Sequence, residues 1–514
     1  MKPLPFFPEE VASCRAVFQE SSEPLFMETT WYSWLFGAAY LSAIVAFAVV
    51  VIMTRRPVGV SLAWLVLLFA LPVAGFVLYL LFGSPRLGTR RLKRMRALYP
   101  DYAQWYQHLS RIISGNEPSR CPVTLHSGIF SLAEKNMSVP LLPGNHLQLF
   151  SGFESIIEHL LRDIENAQHS VVIEFYIWEP VGRAEDVAEA VIRAARRGVD
   201  CLVVLDNVGS RGFLNGLWAR RFRLEGISVT ASMSVGPFRM LVERIDIRNH
   251  RKILVVDDQV AWTGSFNLVD PSLFKQDAQV GQWVDAMVRI DGVAAHVLGA
   301  IVQWDKALET GQGHPSFNRQ YEYPSAAHRG REGAFVHVLP SGPDVDREML
   351  QQVLLTAIYE SREELLISTP YFVPDESLLT ALKSAAMRGV DVQLLVPAKN
   401  DSRMVHHASR SYYQELLQAG VTIQQFNGGL LHTKCVLVDR ETALFGTVNL
   451  DMRSVWLNYE VTLIVYDDGF GQQIFHVLQS YMKQASQVDI SLWAKRPFRR
   501  KLLENTLQLL SPLL

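Results

Sequence analysis

The sequence predicts an α/β protein: two tandem α/β/α halves forming one body, preceded by a two-helix transmembrane hairpin. Three observations predict it. The pattern His250-Arg-Lys252, Asp257, Gly264, Asn267 returns at identical internal spacing as His432-Thr-Lys434, Asp439, Gly446, Asn449. Helix-like and strand-like segments alternate in the same succession around each copy. Ahead of them lie two uncharged runs, each longer than the roughly 20 residues that cross a bilayer core.

Bulk composition narrows the classes. At 514 residues and 49% hydrophobic content the chain can bury two or three cores. Lys+Arg 49 against Asp+Glu 51 leaves a net charge of −2, so no global excess argues for nucleic acid as a partner. Cys14, Cys121, Cys201 and Cys435 lie far apart with no C-x-x-C spacing. That indicates neither a zinc site nor a disulfide framework, and a reducing compartment fits.

The N-terminal segment, 1–30, lacks a basic region followed by a small-residue cleavage site, so it does not read as a cleaved signal peptide. Residues 29–54 and 57–85 carry no charge and are separated by Arg55 and Arg56. Trp31, Tyr32 and Trp34 open the first run, and Trp64 and Tyr79 stand in the second, as interfacial anchors do. The expectation is a hairpin over 31–83, spanning at about 31–53 and 60–82. The basic juxtamembrane segment, 84–141, begins with Arg86, Arg90, Arg91, Lys93, Arg94 and Arg96 and no acid up to residue 96. This heavier positive flank places the large C-terminal body on the cytoplasmic side. It also predicts contact with anionic membrane lipids, each charge contributing about 1 kcal/mol.

The first half is expected over 142–308. Residues 154–167 and 184–197 have helical periodicity, and 169–178 and 200–205 read as strands. The second half, 334–485, repeats this with helices at 348–360 and 376–388 and strands at 364–372 and 391–397. Such alternation predicts a largely parallel sheet covered on both faces. Arg197-Gly-Val-Asp200 recurs as Arg388-Gly-Val-Asp391 at an offset of 191, against 182 for the histidines, so the first half carries the longer loop. Residues 309–333 read as a linker or a loop spanning the site. The tail, 486–514, is basic at Lys495, Arg496, Arg499, Arg500 and Lys501, then leucine-rich. A membrane-interface helix, a helix packed on the body and an oligomer contact are all compatible with it.

Period-two alternation puts His250 with Lys252, and His432 with Lys434, on one face of a strand. Two facing copies would enclose a phosphodiester. Lys252, Lys434, Asn267 and Asn449 would surround its anionic oxygens, with an imidazole on either side of phosphorus. One histidine can attack covalently while the other protonates the leaving oxygen. The lysines stabilise developing charge without a metal, and no cofactor is expected. Asp285 and Glu460 are candidates to orient the imidazoles, each expected to hold the histidine of its own half. Asp257 and Asp439 complete the motif and read as mainly structural, positioning backbone and lysine.

These motifs resemble the phospholipase D superfamily over nearly all of residues 142–485. Within it, Ala63-Trp-Leu65 with Pro72, Leu78-Tyr-Leu-Leu-Phe-Gly83, Arg248-Asn-His250-Arg-Lys252, Ser341-Gly-Pro343 and the Leu-Leu-Ser-Pro-Leu-Leu ending resemble the bacterial cardiolipin synthases over the full length. The resemblance implies two phospholipase D-like halves sharing one catalytic site. It implies a phosphatidyltransferase of the bacterial inner membrane. The implied reaction is transfer between two phosphatidylglycerol molecules, giving cardiolipin and glycerol through a phosphatidyl-histidine. His250 is the expected nucleophile and His432 the acid/base. A homo-oligomer is compatible with the sequence. Competing readings are a membrane-bound phospholipase D releasing phosphatidic acid, a nuclease, and a scaffold with a decayed site. The absence of a basic excess counts against the nuclease, and the intact motifs count against the scaffold.

Overall fold

The computed structural model describes residues 23–54, 58–83, 89–114, 127–136, 141–234, 244, 246–312, 333–344 and 348–511. It contains two compact units, Met1–Ser84 and Pro85–Leu514.

In the first unit a helix runs Glu23–Met53. Its stretch Trp31–Met53 has mean hydropathy 2.5 and is 12% buried, and among the described residues it is the one helix long and apolar enough to cross a membrane. The second apolar run forms helices Val58–Ala70 and Pro72–Leu78 rather than one span. Leu71 leaves the helical conformation at φ −138°, ψ 72°, because the ring of Pro72 disfavours helical backbone in the residue before it. Tyr79 packs edge-on against Phe47 and Trp64, at 4.8 and 5.2 Å between ring centres, and so ties the two runs together. Arg55, Arg56, Arg86 and residues 1–22 lie outside the described residues.

The second unit is built on a 15-stranded sheet. From its middle outward the first half contributes Leu142–Ser151, Ala286–Asp291, Val260–Gly264, Lys252–Val256, Ser170–Phe175, Asp200–Asp206 and Ser228–Ser232. The second half mirrors this with Ala334–Ser341, Glu460–Tyr466, Thr442–Gly446, Cys435–Val438, Glu364–Ser368, Asp391–Pro397 and Thr422–Phe426, and adds Ala485–Gln487 at the edge. The halves join where Leu142 and Asn145 pair with Val336 and Ala334.

The sheet is mixed, not largely parallel. Parallel pairing within it is confined to the three strands at 170–175, 200–206 and 228–232 and their counterparts at 364–368, 391–397 and 422–426. The motif strands instead turn back on themselves. Asp257 and Asp258 (φ 53° and 56°), like Asp439 and Arg440 (φ 50° and 60°), take left-handed backbone in succession. Such paired positive φ values make a tight hairpin turn, whereas a parallel neighbour needs a long crossover.

Strand alternation sorts the core into faces. Val172, Ile253 and Val255 point to one side with Val338, Phe445 and Leu463, under helices Val293–Thr310 and Asp468–Met482. That cluster runs through both halves. On the opposite face Val171, Ile173 and Leu254 pack under the first half's helices, and Ile367, Leu394 and Val436 under those of the second. The shared cluster makes the two halves one body.

Two flanking segments are absorbed by this body. In the basic helix Thr89–Ser114, Arg91 forms an ion pair with Glu309 and donates to Tyr459 Oη at 3.1 Å, while Arg94 donates to the carbonyl of Leu308 at 2.8 Å. These two charges are therefore spent inside the protein rather than on lipid head groups. The tail helix Phe498–Gln508 packs on Arg403–Ser411, and Trp493 stacks on Tyr413 at 5.1 Å. One side of the tail helix is therefore packed on the body.

Candidate active site

The buried strands Lys252–Val256 and Cys435–Val438 carry the two motifs into the middle of the sheet. Alternation sets each lysine on the side of its own histidine, and there each ammonium folds back onto a carbonyl. Lys252 Nζ donates to His250 O at 2.7 Å, and Lys434 Nζ donates to His432 O at 2.6 Å. Neither lysine is more than 2% exposed, and His250 and His432 are buried as well. Four basic side chains thus lie under the surface, with the carboxylates of Asp285 and Glu460 beside them and those of Asp206 and Asp451 also near the lysines.

The carboxylates are crossed, contrary to the own-half pairing expected from sequence. His250 Nδ1 meets Glu460 Oε2 at 2.9 Å, and His432 Nδ1 meets Asp285 Oδ1 at 2.7 Å. The backbone explains the exchange. His250 N donates to Tyr459 O, and His432 N donates to Val284 O, both at 2.8 Å. Asn249 bridges Tyr459, and Leu430–Leu431 pairs in parallel with Trp283–Val284. Each motif therefore enters the sheet beside the residue that precedes the other half's acid. A hydroxyl of the acid's own half holds that acid: Ser265 Oγ donates to Asp285 Oδ1, and Thr447 Oγ1 to Glu460 Oε2, both at 2.6 Å.

This arrangement fixes the imidazoles. A carboxylate only accepts, so each Nδ1 carries the proton and each Nε2 presents its lone pair. Among the described residues no hydrogen bond occupies either Nε2. Burial first, with the ammonium groups of Lys252 and Lys434 adding to it against the opposing pull of Glu460 or Asp285, lowers both histidines to about 4. Burial also lowers Lys252 to about 8 and Lys434 well below the usual lysine range. For Asp285 and Glu460 burial works the other way, but the partner histidine and the nearby lysine outweigh it and keep both carboxyls below their ordinary values. At neutral pH both rings are neutral, and an anion arriving between the lysines would raise them.

The asparagines sit in the turns that follow Gly264 and Gly446. Asn267 Oδ1 accepts from Ile177 N at 3.3 Å, which directs its amide nitrogen elsewhere. Asn449 Nδ2 donates to Ser454 Oγ at 3.1 Å, leaving a buried Oδ1 without a partner among the described residues. Turning that amide over lets Ser454 donate instead and frees the NH2, matching Asn267. A phosphoryl oxygen would satisfy such donors.

Asp257 and Asp439 do not join the site or position a lysine. The carboxylate of Asp257 accepts from the backbone of Gln168, His169 and Ser170, and that of Asp439 from Arg362, Glu363 and Glu364. Each lies past the far end of its strand, about 17 Å along the chain from the lysine. They clamp the start of the neighbouring strand.

Several site residues are absent from the sequence reading. Ser265 and Thr447 were visible as the Gly-Ser-x-Asn and Gly-Thr-x-Asn turns, had the position after glycine been compared. Tyr176 lies edge-on to His250 at 4.9 Å, and Trp283 lies 4.4 Å from the ring of His432. Arg251, inside the first motif, pairs with buried Asp305 and donates to the carbonyl of Glu460 at 3.0 Å. The side chain of its counterpart Thr433 instead contacts Val284 O and Tyr481 Oη through its hydroxyl. Nothing in a single sequence distinguishes that arginine from a surface residue.

The comparisons with known proteins agree with this construction. A family model described as "Cardiolipin synthase, PLD-like domain" matches residues 160–291 and again 354–485, and one described as "Phospholipase D-nuclease N-terminal" matches 43–84. Cardiolipin synthase A of Cronobacter sakazakii is 43% identical over 495 residues, 95% of this chain and 100% of the relative. That of Yersinia pseudotuberculosis shows the same identity and coverage. A crystal structure of phosphatidylserine synthase from Haemophilus influenzae covers 76% of this chain and 100% of its own, with a TM-score of 0.56 at 14% identity, which supports the fold. A duplicated motif, a mirrored sheet and near full-length identity converge, and the chain belongs to the cardiolipin synthase family of phospholipase D-like proteins.

Proposed function

We propose that this protein transfers a phosphatidyl group from one phosphatidylglycerol to another, forming cardiolipin and glycerol. The observation that carries the reading is the pair of neutral imidazoles, each locked through Nδ1 by the other half's carboxylate, with two buried lysines near both rings. In the first step His250 Nε2 attacks phosphorus and the bond to the glycerol head group breaks. His432, charged once the substrate anion has raised its pKa, protonates the leaving oxygen. In the second step His432 takes the proton from a hydroxyl of the second phosphatidylglycerol. That oxygen attacks phosphorus, the P–N bond breaks and His250 is regenerated. Lys252, Lys434, Asn267 and Asn449 hold the phosphoryl oxygens throughout, as fixed dipoles and charges that need no reorganisation. Asp285 and Glu460 orient the rings.

The apolar runs at 31–53 and 58–83 serve in this reading as a multi-pass anchor in the bacterial inner membrane, with the body on the cytoplasmic side. A lipid acceptor is then abundant at the site and water is not. The alternative is hydrolysis at the same site. Labelled phosphatidylglycerol supplied in detergent separates them: cardiolipin with glycerol supports transfer, whereas phosphatidic acid as the main product overturns it in favour of a phospholipase D. Label trapped on His432 rather than His250 would reverse the two roles.

A further inference from the structure

The tail helix Phe498–Gln508 packs Leu507 on the body but leaves several large apolar residues outside while burying an acid. Glu504 is fully buried against the body, paired with Arg496 at 3.2 Å and Arg500 at 3.1 Å. The Arg496 side chain is itself 9% exposed, and its guanidinium lies 4.0 Å from the ring of Trp493. On the outer side, Phe498, Leu502 and Leu509 are 75%, 54% and 80% exposed. Their spacings of four and seven residues place them in one stripe about 40° wide, bordered by Asn505. Leu492, on the preceding helix Ile490–Ala494, is 70% exposed. Lys495 and Arg499 are exposed beside these groups. A helix in water usually buries its apolar stripe and solvates its ions, so this exposed stripe is suited to an apolar phase outside the protein.

We infer that the helix Phe498–Gln508 docks on the surface of an anionic bilayer, with Phe498, Leu502 and Leu509 in the acyl boundary and Lys495 and Arg499 among the lipid phosphates. An apolar stripe flanked by basic residues is the composition of an interfacial helix. A second copy of the chain is the less suitable occupant, because a parallel two-fold contact on this stripe sets Lys495 and Arg499 against their own counterparts, and an antiparallel one offers them no acidic partner within the stripe. Anionic phospholipid complements them. The helix Trp31–Met53 of the same chain is also long and apolar enough to cross a bilayer. The inference stands apart from the chemistry at the histidines.

The test uses the full chain reconstituted in vesicles of phosphatidylcholine with and without phosphatidylglycerol. Cys14 and Cys121 are changed to serine, and a spin label is placed at Leu502→Cys, Leu509→Cys or, as a water-exposed control, Arg223→Cys. In the anionic vesicles the labels at 502 and 509 should be more accessible to oxygen than to a nickel complex, with the reverse at 223. Lys495→Gln with Arg499→Gln should lower the partition of the labelled helix by roughly thirty-fold, at about 1 kcal/mol for each charge. Two outcomes overturn the inference: labels at 502 and 509 that remain nickel-accessible in anionic vesicles, or dipolar broadening between labels on two copies that persists whatever the lipid.

Discussion

At the residue scale, the crossed pairs decide what each acid does. Asp285→Asn presents a donor where His432 needs an acceptor, which favours the wrong tautomer, and Glu460→Gln does the same to His250. Each change should lower kcat by about 10²- to 10⁴-fold, the range for loss of positioned acid–base catalysis. A double-mutant cycle checks the pairing. Glu460→Gln should cost almost nothing further in a His250→Ala background, yet add its own loss beside Asp285→Asn; the opposite coupling would restore the own-half pairing. The lysines set the alkaline limit. Lys252 titrates at about 8, so kcat/KM should fall as pH rises through about 8 and the phosphate cradle loses a charge. On the acid side His250, at about 4 in the free protein, loses its free lone pair as pH falls, so kcat/KM should decline there, while the bound anion moves the acid limb of kcat to higher pH. The two rings titrate as a coupled system, and the profile reports the pair.

At the scale of elements, the aspartates that complete each motif belong to the hairpins rather than to the chemistry. Asp439 joins three backbone amides at the start of strand Glu364–Ser368 while its own backbone is left-handed. Asp439→Ala leaves those amides without an acceptor and puts a residue with no local hydrogen bond at positive φ. Denaturant unfolding should show a loss of roughly 2–4 kcal/mol. The pH profile of the folded fraction should keep its shape; a displaced profile at unchanged stability would make Asp439 part of the site. The same element makes the sheet mixed where helix–strand alternation predicts a largely parallel one. Helix–strand alternation is real at 170–206 and 364–397, but the turns at Asp257 and Asp439 are too short for crossovers, and tight turns make antiparallel neighbours. In the N-terminal unit, length and hydropathy predicted the second apolar segment as continuous, and Pro72 divides it by a local steric effect that a hydropathy window averages away.

At the scale of the whole molecule, one sheet and one core cluster run through both halves, so a working site needs both motifs on one chain. Mixing purified His250→Ala and His432→Ala proteins should restore no more activity than either alone. Recovery toward about a quarter of the normal rate, as random pairing of an equal mixture gives, would mean that chains exchange halves and that the sheet does not close within one chain. The sequence by itself determined the duplication, the identity of both histidines and both lysines, and an apolar segment long enough to span, because these rest on local spacing and composition. It also singled out Asp285 and Glu460 as acids of the right kind. Only the tertiary structure decided that Glu460 serves His250 and Asp285 serves His432. That choice depends on which backbone lies beside which, across 210 and 147 residues of chain, and no local pattern records such neighbours. The supporting roles of Ser265, Thr447 and Arg251, and the burial of Arg91 beneath Tyr459, were hidden for the same reason. A hydroxyl or a guanidinium is ambiguous in sequence until the fold supplies its partner.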